Sequence, residues 1–114
     1  MHFIKGEIIV ENTNSVHDAT IYIRLEDVSK ADAPSKVLSE LILKNVNFDN
    51  TTKAIPFTLS IESIDKHISY NVSVHIDVNK NGKLDKGDFI NMAIYPILTY
   101  GYSNYIKIKT KQIK

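Results

Sequence analysis

The stretch Ala19-Thr20-Ile21-Tyr22-Ile23-Arg24-Leu25-Glu26 alternates between apolar and polar side chains without a break. Successive side chains of a strand point to opposite faces, so Ala19, Ile21, Ile23 and Leu25 share one side and Thr20, Tyr22, Arg24 and Glu26 the other. One face buries and one stays wet, as in an antiparallel sheet packed on a core. Working outward, the same rule marks Ile4 to Val10, Phe57 to Ile61, and Tyr70 to Ile76 with Tyr70, Val72, Val74 and Ile76 inward. Val37 to Val46 also reads as extended, although Leu41-Ile42-Leu43 breaks the alternation and leaves a buried helical turn open there. A short strand from Met92 to Ile97, edged by Pro96, and another from Ser103 to Thr110 flank a turn at Tyr100-Gly101-Tyr102. Helical spacing is sustained nowhere. Turn-rich segments at Glu11 to Ser15 and Asn47 to Thr52 separate the strands, and the expected fold is all-β: an antiparallel two-sheet sandwich of about seven strands, immunoglobulin- or prealbumin-like.

A chain of 114 residues suits one domain, so residues 1–114 are expected to share a single core. Fourteen basic residues against thirteen acidic ones leave a net charge of +1, too balanced a field to draw in nucleic acid. The lysines at 107, 109, 111 and 114 alternate with Ile106 and Ile108, as on a strand with a solvated outer face. With no cysteine there is no disulfide, thiolate zinc site or thiol nucleophile. No apolar stretch approaches transmembrane length, and the N-terminal residues lack the pattern of a secretory leader.

The chemistry lies in Asp77-Val78-Asn79-Lys80-Asn81-Gly82-Lys83-Leu84-Asp85-Lys86-Gly87-Asp88, which follows the calcium-loop pattern of Asp, Asn, Asn and Gly at positions 1, 3, 5 and 6. Calcium is a hard cation that takes six to eight oxygens, and a loop coiled round it presents side chains from alternate residues while position 7 offers a backbone carbonyl. The expected ligands are Asp77, Asn79, Asn81, the main chain of Lys83, Asp85 directly or through water, and Asp88. Gly82 stands where positive φ is needed, and Leu84 is placed to anchor the loop to the core. Asp88 replaces the glutamate that grips calcium with two oxygens, and Lys80, Lys83 and Lys86 weaken the field, so the affinity is expected on the order of 10⁻⁵ to 10⁻³ M. Magnesium, which demands a compact octahedron, fits less well. The plain alternative is a polar hairpin turning at Asn81-Gly82 with no ion. Because strand alternation leads into the loop, it reads as a staple between strands, not the switch of a helix-flanked sensor.

The run Leu25-Glu26-Asp27-Val28-Ser29-Lys30-Ala31-Asp32-Ala33-Pro34 resembles the YbaY-like family of small bacterial lipoproteins, which includes the YscW-type pilotins, or type III secretion lipoprotein chaperones. Ile55-Pro56-Phe57, Tyr70-Asn71-Val72 and Ile97-Leu98-Thr99-Tyr100-Gly101 are similar to further strand starts and turns of that family, in the same order. The resemblance implies a β-sandwich throughout, a place in the cell envelope or outside the cell, and a chaperone-like role. The family's lipidation cysteine is not in this chain, and the calcium loop stands outside the family pattern. Read physically, Asp27 and Ser29 suit a strand exit and Pro34 fixes a corner.

His2, His17, His67 and His75 lack the spacing of a zinc site, and His75 is expected at the surface. No nucleophile elbow, phosphate loop or zincin motif occurs, so no catalysis is expected. Residues and resemblance together point to a non-enzymatic, calcium-binding accessory or chaperone-like domain that meets another envelope protein by adding a strand at an exposed sheet edge. The alternative is a carbohydrate-binding or adhesion module using a tyrosine-rich face of Tyr95, Tyr100, Tyr102 and Tyr105.

Overall fold

The computed structural model describes residues 1–10, 15–30 and 32–114; most of the turn expected at Glu11 to Ser15, and Ala31 of the Leu25 to Pro34 run, lie outside them. Among the described residues eight strands follow in chain order: β1 (His2–Ile9), β2 (Val16–Asp27), β3 (Lys36–Phe48), β4 (Ala54–Ile61), β5 (Tyr70–Asp77), β6 (Phe89–Asn91), β7 (Pro96–Ile97) and β8 (Tyr105–Gln112). The alternation in β2 is realised as read, with Ala19, Ile21, Ile23 and Leu25 fully buried. They meet Ile4, Ile8, Val72, Ile76, Phe89 and Ile108 in one core. β3 is extended through Leu41-Ile42-Leu43, with Leu41 and Leu43 half-buried on one face and Ile42 exposed on the other, so the helical turn left open there does not form; Asn45, at φ of 57°, interrupts the extended geometry further on.

The two-sheet sandwich is overturned. The strands form one sheet in the order β3-β2-β5-β6-β8-β1-β4, with β7 also on β5, curled into a nearly closed barrel. β8 makes the difference: it pairs antiparallel with β6 through residues 110–112 and parallel with β1 through residues 105–109. A strand shared in this way merges what would be two sheets into one. Register shifts in the β2–β3 pairing at Val16/Ala19, Ala19/Ile21 and Leu25/Glu26 add local bend, as bulges do. The path ends, β3 and β4, face each other, and Ser39 Oγ donates to the Ser60 carbonyl across the seam at 3.0 Å.

Of the strand expected from Met92 to Ile97 only Pro96–Ile97 forms, and the strand before it, β6, ends upstream at Asn91. Asn91 Oδ1 accepts the Val74 N–H at 2.8 Å, replacing a main-chain partner, and Val72 N–H reaches the Tyr95 carbonyl at 3.1 Å. Between these anchors Met92 and Ile94 turn out into solvent.

Gly6 on β1 lies between Phe57 of β4 and Ile106 of β8. A Cβ there would stand 2.5 Å from Phe57 Cζ and 2.7 Å from the Ile106 carbonyl oxygen, which as backbone cannot step aside. Gly6→Ala is expected to cost about 1–3 kcal/mol through overpacking. The check is a lower denaturant midpoint with an unchanged slope.

Candidate functional site

The loop of residues 78–88 leaves the end of β5 and enters β6, so a buried strand end holds each of its termini. Asp77, the last residue of β5, and Asp88, just before β6, are both fully buried. Asp77 Oδ2 accepts the Gly82 N–H at 2.8 Å, which pulls the loop into a coil, and Gly82 adopts φ of 73° as the pattern requires. Asp77 Oδ1 has no hydrogen-bond donor, the one such buried side-chain atom among the described residues. A buried carboxylate oxygen without a hydrogen-bond donor is costly.

The remaining loop residues gather round the same coil. The Asn79 and Asn81 side-chain amides both lie against Asp85 Oδ2, at 3.3 and 3.1 Å, and Asn81 Oδ1 accepts the Lys83 N–H at 2.9 Å. Asp88 is already satisfied: Oδ1 accepts the Val78 N–H at 3.0 Å, while Oδ2 accepts from His75 Nε2 at 2.8 Å and from the Asp85 N–H at 3.2 Å. The ligand-type atoms of His75, Asp77 and Asp88 all lie within 4.8 Å of one another. His75 is therefore not the surface histidine expected: its ring is stacked on Tyr22 at 5.7 Å and its side chain is 15% exposed. The Tyr22–His75 pairing across β2 and β5 could not be read from sequence, because it depends on register.

Two other expectations change. Leu84 is 59% exposed and does not anchor the loop, since the buried Asp77 and Phe89 at its two ends already do so. Lys80 turns away from the coil and pairs with Asp18 of β2, so its charge does not sit over the loop. That lysine, followed by the Asn45 amide, holds the Asp18 carboxyl below its ordinary range.

The four tyrosines do not share a face. Tyr95 is half-buried with its hydroxyl accepting the Lys109 N–H, and Tyr105 stands beside Glu7 of β1, where desolvation and that carboxylate raise its hydroxyl. Tyr100 and Tyr102 instead join Val28, Tyr70, Ile94 and Pro96 around an apolar cleft of about 210 Å³. The β2 exit that supplies Val28 is braced: Val28 N–H bonds the Ser69 carbonyl and Ser69 N–H bonds Ser29 Oγ, each at 2.9 Å. The Ser29 hydroxyl and then its amide keep the Asp27 carboxyl low. Tyr100 Oη donates to the His67 carbonyl at 3.1 Å and Thr99 Oγ1 to the Ile68 carbonyl at 2.6 Å, closing the other wall.

Among solved structures this architecture is shared by an alternative pilotin from the type II secretion system of Vibrio cholerae, with a TM-score of 0.74, 23% identity, and coverage of 99% of this chain and 97% of that one. None of the curated proteins matches the chain in sequence. Residues 1–109 match the model of the type III secretion system lipoprotein chaperone (YscW) family, and the chain belongs to that family. No helix among the described residues is long and apolar enough to cross a membrane.

Proposed function

We propose that this chain is a non-enzymatic accessory domain of a secretion apparatus or related envelope assembly, which holds an apolar segment of a partner protein in the tyrosine-walled cleft and is stapled by calcium in the β5–β6 loop. The observation that carries the partner-binding part is a convergence. Val28, Tyr70, and Ile97 with Thr99 and Tyr100 come from three separated segments, all of them ones that resemble the pilotins, and they line the same cleft. Ile94 is 75% exposed and Tyr100 67%, a cost in solvation that a docked apolar segment would offset. At about 210 Å³ the cleft falls below the roughly 300–1,000 Å³ of small-molecule pockets and suits the anchoring side chains of a peptide. Strand addition is less favoured, because β3 and β4 face each other across the Ser39–Ser60 bridge and their edges are partly covered. Calcium is supported by the unpartnered Asp77 Oδ1.

Photo-crosslinking in the native cells tests the partner. A photoreactive residue at position 94 or 102 is expected to capture a secretion or envelope protein, and Ile94→Asp should abolish that capture by a photoreactive 102. The same probe at Lys44, exposed on β3, should capture nothing specific. Equal labelling from positions 44, 94 and 102, or none from the latter two, would contradict the reading.

A further inference from the structure

Resting on the calcium reading, we infer that the ion is held by Asp77 Oδ1, the side-chain oxygens of Asn79, Asn81 and Asp85 and the Lys83 carbonyl, whereas Asp88 and His75 form a brace that couples the loop to the C-terminal strand. The ligand set shrinks from the sequence pattern because Asp88 is spent. Its two oxygens accept from Val78, His75 and Asp85, and a carboxylate satisfied three times has little left for a cation. Asp77 is the reverse: one oxygen is fixed by Gly82, and the other is buried and bare. The Asn79 amide against Asp85 differs from a calcium-facing one by a rotation about one side-chain bond that exchanges O for N, whereas Asn81 Oδ1 accepts the Lys83 N–H and keeps a second lone pair for the ion. All these donors are hard oxygens. His75 offers the lone nitrogen, and its Nε2–H is given to Asp88, so calcium is favoured over zinc.

The brace leads directly to β8. Gly87 N–H donates to the Ile113 carbonyl and Ile113 N–H to the Asp88 carbonyl, each at 2.8 Å, and Gln112 Nε2 donates to the Gly87 carbonyl at 3.1 Å. The ladder then runs Phe89↔Gln112, Ile90↔Lys111 and Asn91↔Thr110. β8 is also the strand that joins the two halves of the sheet. An ion that fixes residues 77–85 thereby fixes 85–88, and with them the β6–β8 pairing that joins the two halves of the sheet.

The test combines calorimetric titration with calcium chloride, magnesium chloride and zinc chloride with hydrogen exchange of the whole chain in calcium and in chelator. Calcium should bind one to one, and exchange of the amides of residues 105–113 should slow at least tenfold with calcium. Asp77→Asn should weaken binding at least a hundredfold while leaving the chelator-state exchange of residues 110–113 as in the parent. Asp88→Asn should weaken calcium less than tenfold and speed that chelator-state exchange. Absence of calcium binding, or zinc binding without calcium, would overturn the calcium reading itself. Calcium binding that leaves residues 105–113 unprotected would overturn the coupling alone. A hundredfold loss in Asp88→Asn with unchanged chelator-state exchange would make Asp88 a ligand and overturn the brace.

Discussion

Calcium at about a hundred times its dissociation constant is expected to stabilise the fold by about 2.7 kcal/mol. For a chain of this length, that moves the thermal midpoint up by ~10 °C. With a dissociation constant on the order of 10⁻⁴ M this needs about 10 mM calcium. Magnesium at the same concentration should give little, because it keeps its waters and fits a coil of side-chain and backbone oxygens poorly. The instructive variant is Asp77→Asn. It preserves the shape of the side chain and an acceptor for the Gly82 N–H, but replaces the unpartnered carboxylate oxygen with an uncharged group. Its melt should show no calcium shift, and in chelator it should equal or exceed the parent, since an uncompensated buried charge has been removed. Paired melts of parent and variant in calcium, magnesium and chelator make the comparison. A parent indifferent to calcium would show that the loop is no calcium staple.

Phe89→Ala is expected to cost about 3–5 kcal/mol, the range for deleting a buried aromatic ring. Phe89 is 1% exposed and meets Phe48 edge to face, with ring centroids 5.6 Å apart and planes at 73°. Domains of this kind have about 5–15 kcal/mol in total, so the variant should be marginal at 25 °C. Its place matters as much as its size. Phe89 directly follows Asp88 and pairs with Ile76 and Gln112, so the cavity loosens the loop exit, β5 and β8 together. Calcium should therefore raise the stability of the variant by less than it raises that of the parent. Ile42→Ala, on the exposed face of β3, should change stability by no more than about 0.5 kcal/mol. Urea titrations of the three proteins, with and without calcium, measure both effects.

The elements were legible because their signal is local. Ile21, Ile23 and Leu25 alternate with Tyr22 and Arg24 on any sheet, whatever its neighbours, and β2 and β5 lie where that alternation places them. Closure was not legible, because alternation separates inside from outside without saying which strand bonds which. The barrel depends on a parallel pairing of β1 with β8, from the two ends of the chain, and neither strand carries a mark of it. The break at Met92 to Tyr95 depends on Asn91 lending a side-chain oxygen to Val74, a tertiary event that Pro96 only hints at. The loop shows the same division. The spacing of Asp77, Asn79, Asn81, Gly82 and Asp85 brought those residues to one coil, and Gly82 has the φ its position demanded. The parts of Asp88 and His75 rest on the β5–β6 register and the packing of Tyr22, which no spacing rule encodes. In the same way the tyrosines read as one face lie apart, with Tyr100 and Tyr102 at the cleft and Tyr105 beside Glu7.

The most direct measurement is a crystal structure grown in millimolar calcium, with anomalous scattering used to identify the ion. One calcium is expected with Asp77 Oδ1 at about 2.3–2.6 Å and the oxygens of Asn79, Asn81, Lys83 and Asp85 around it, while Asp88 stays bonded to His75. A well-ordered loop with no ion beside Asp77 Oδ1, or an ion bound through His75 and Asp88 instead, would contradict it.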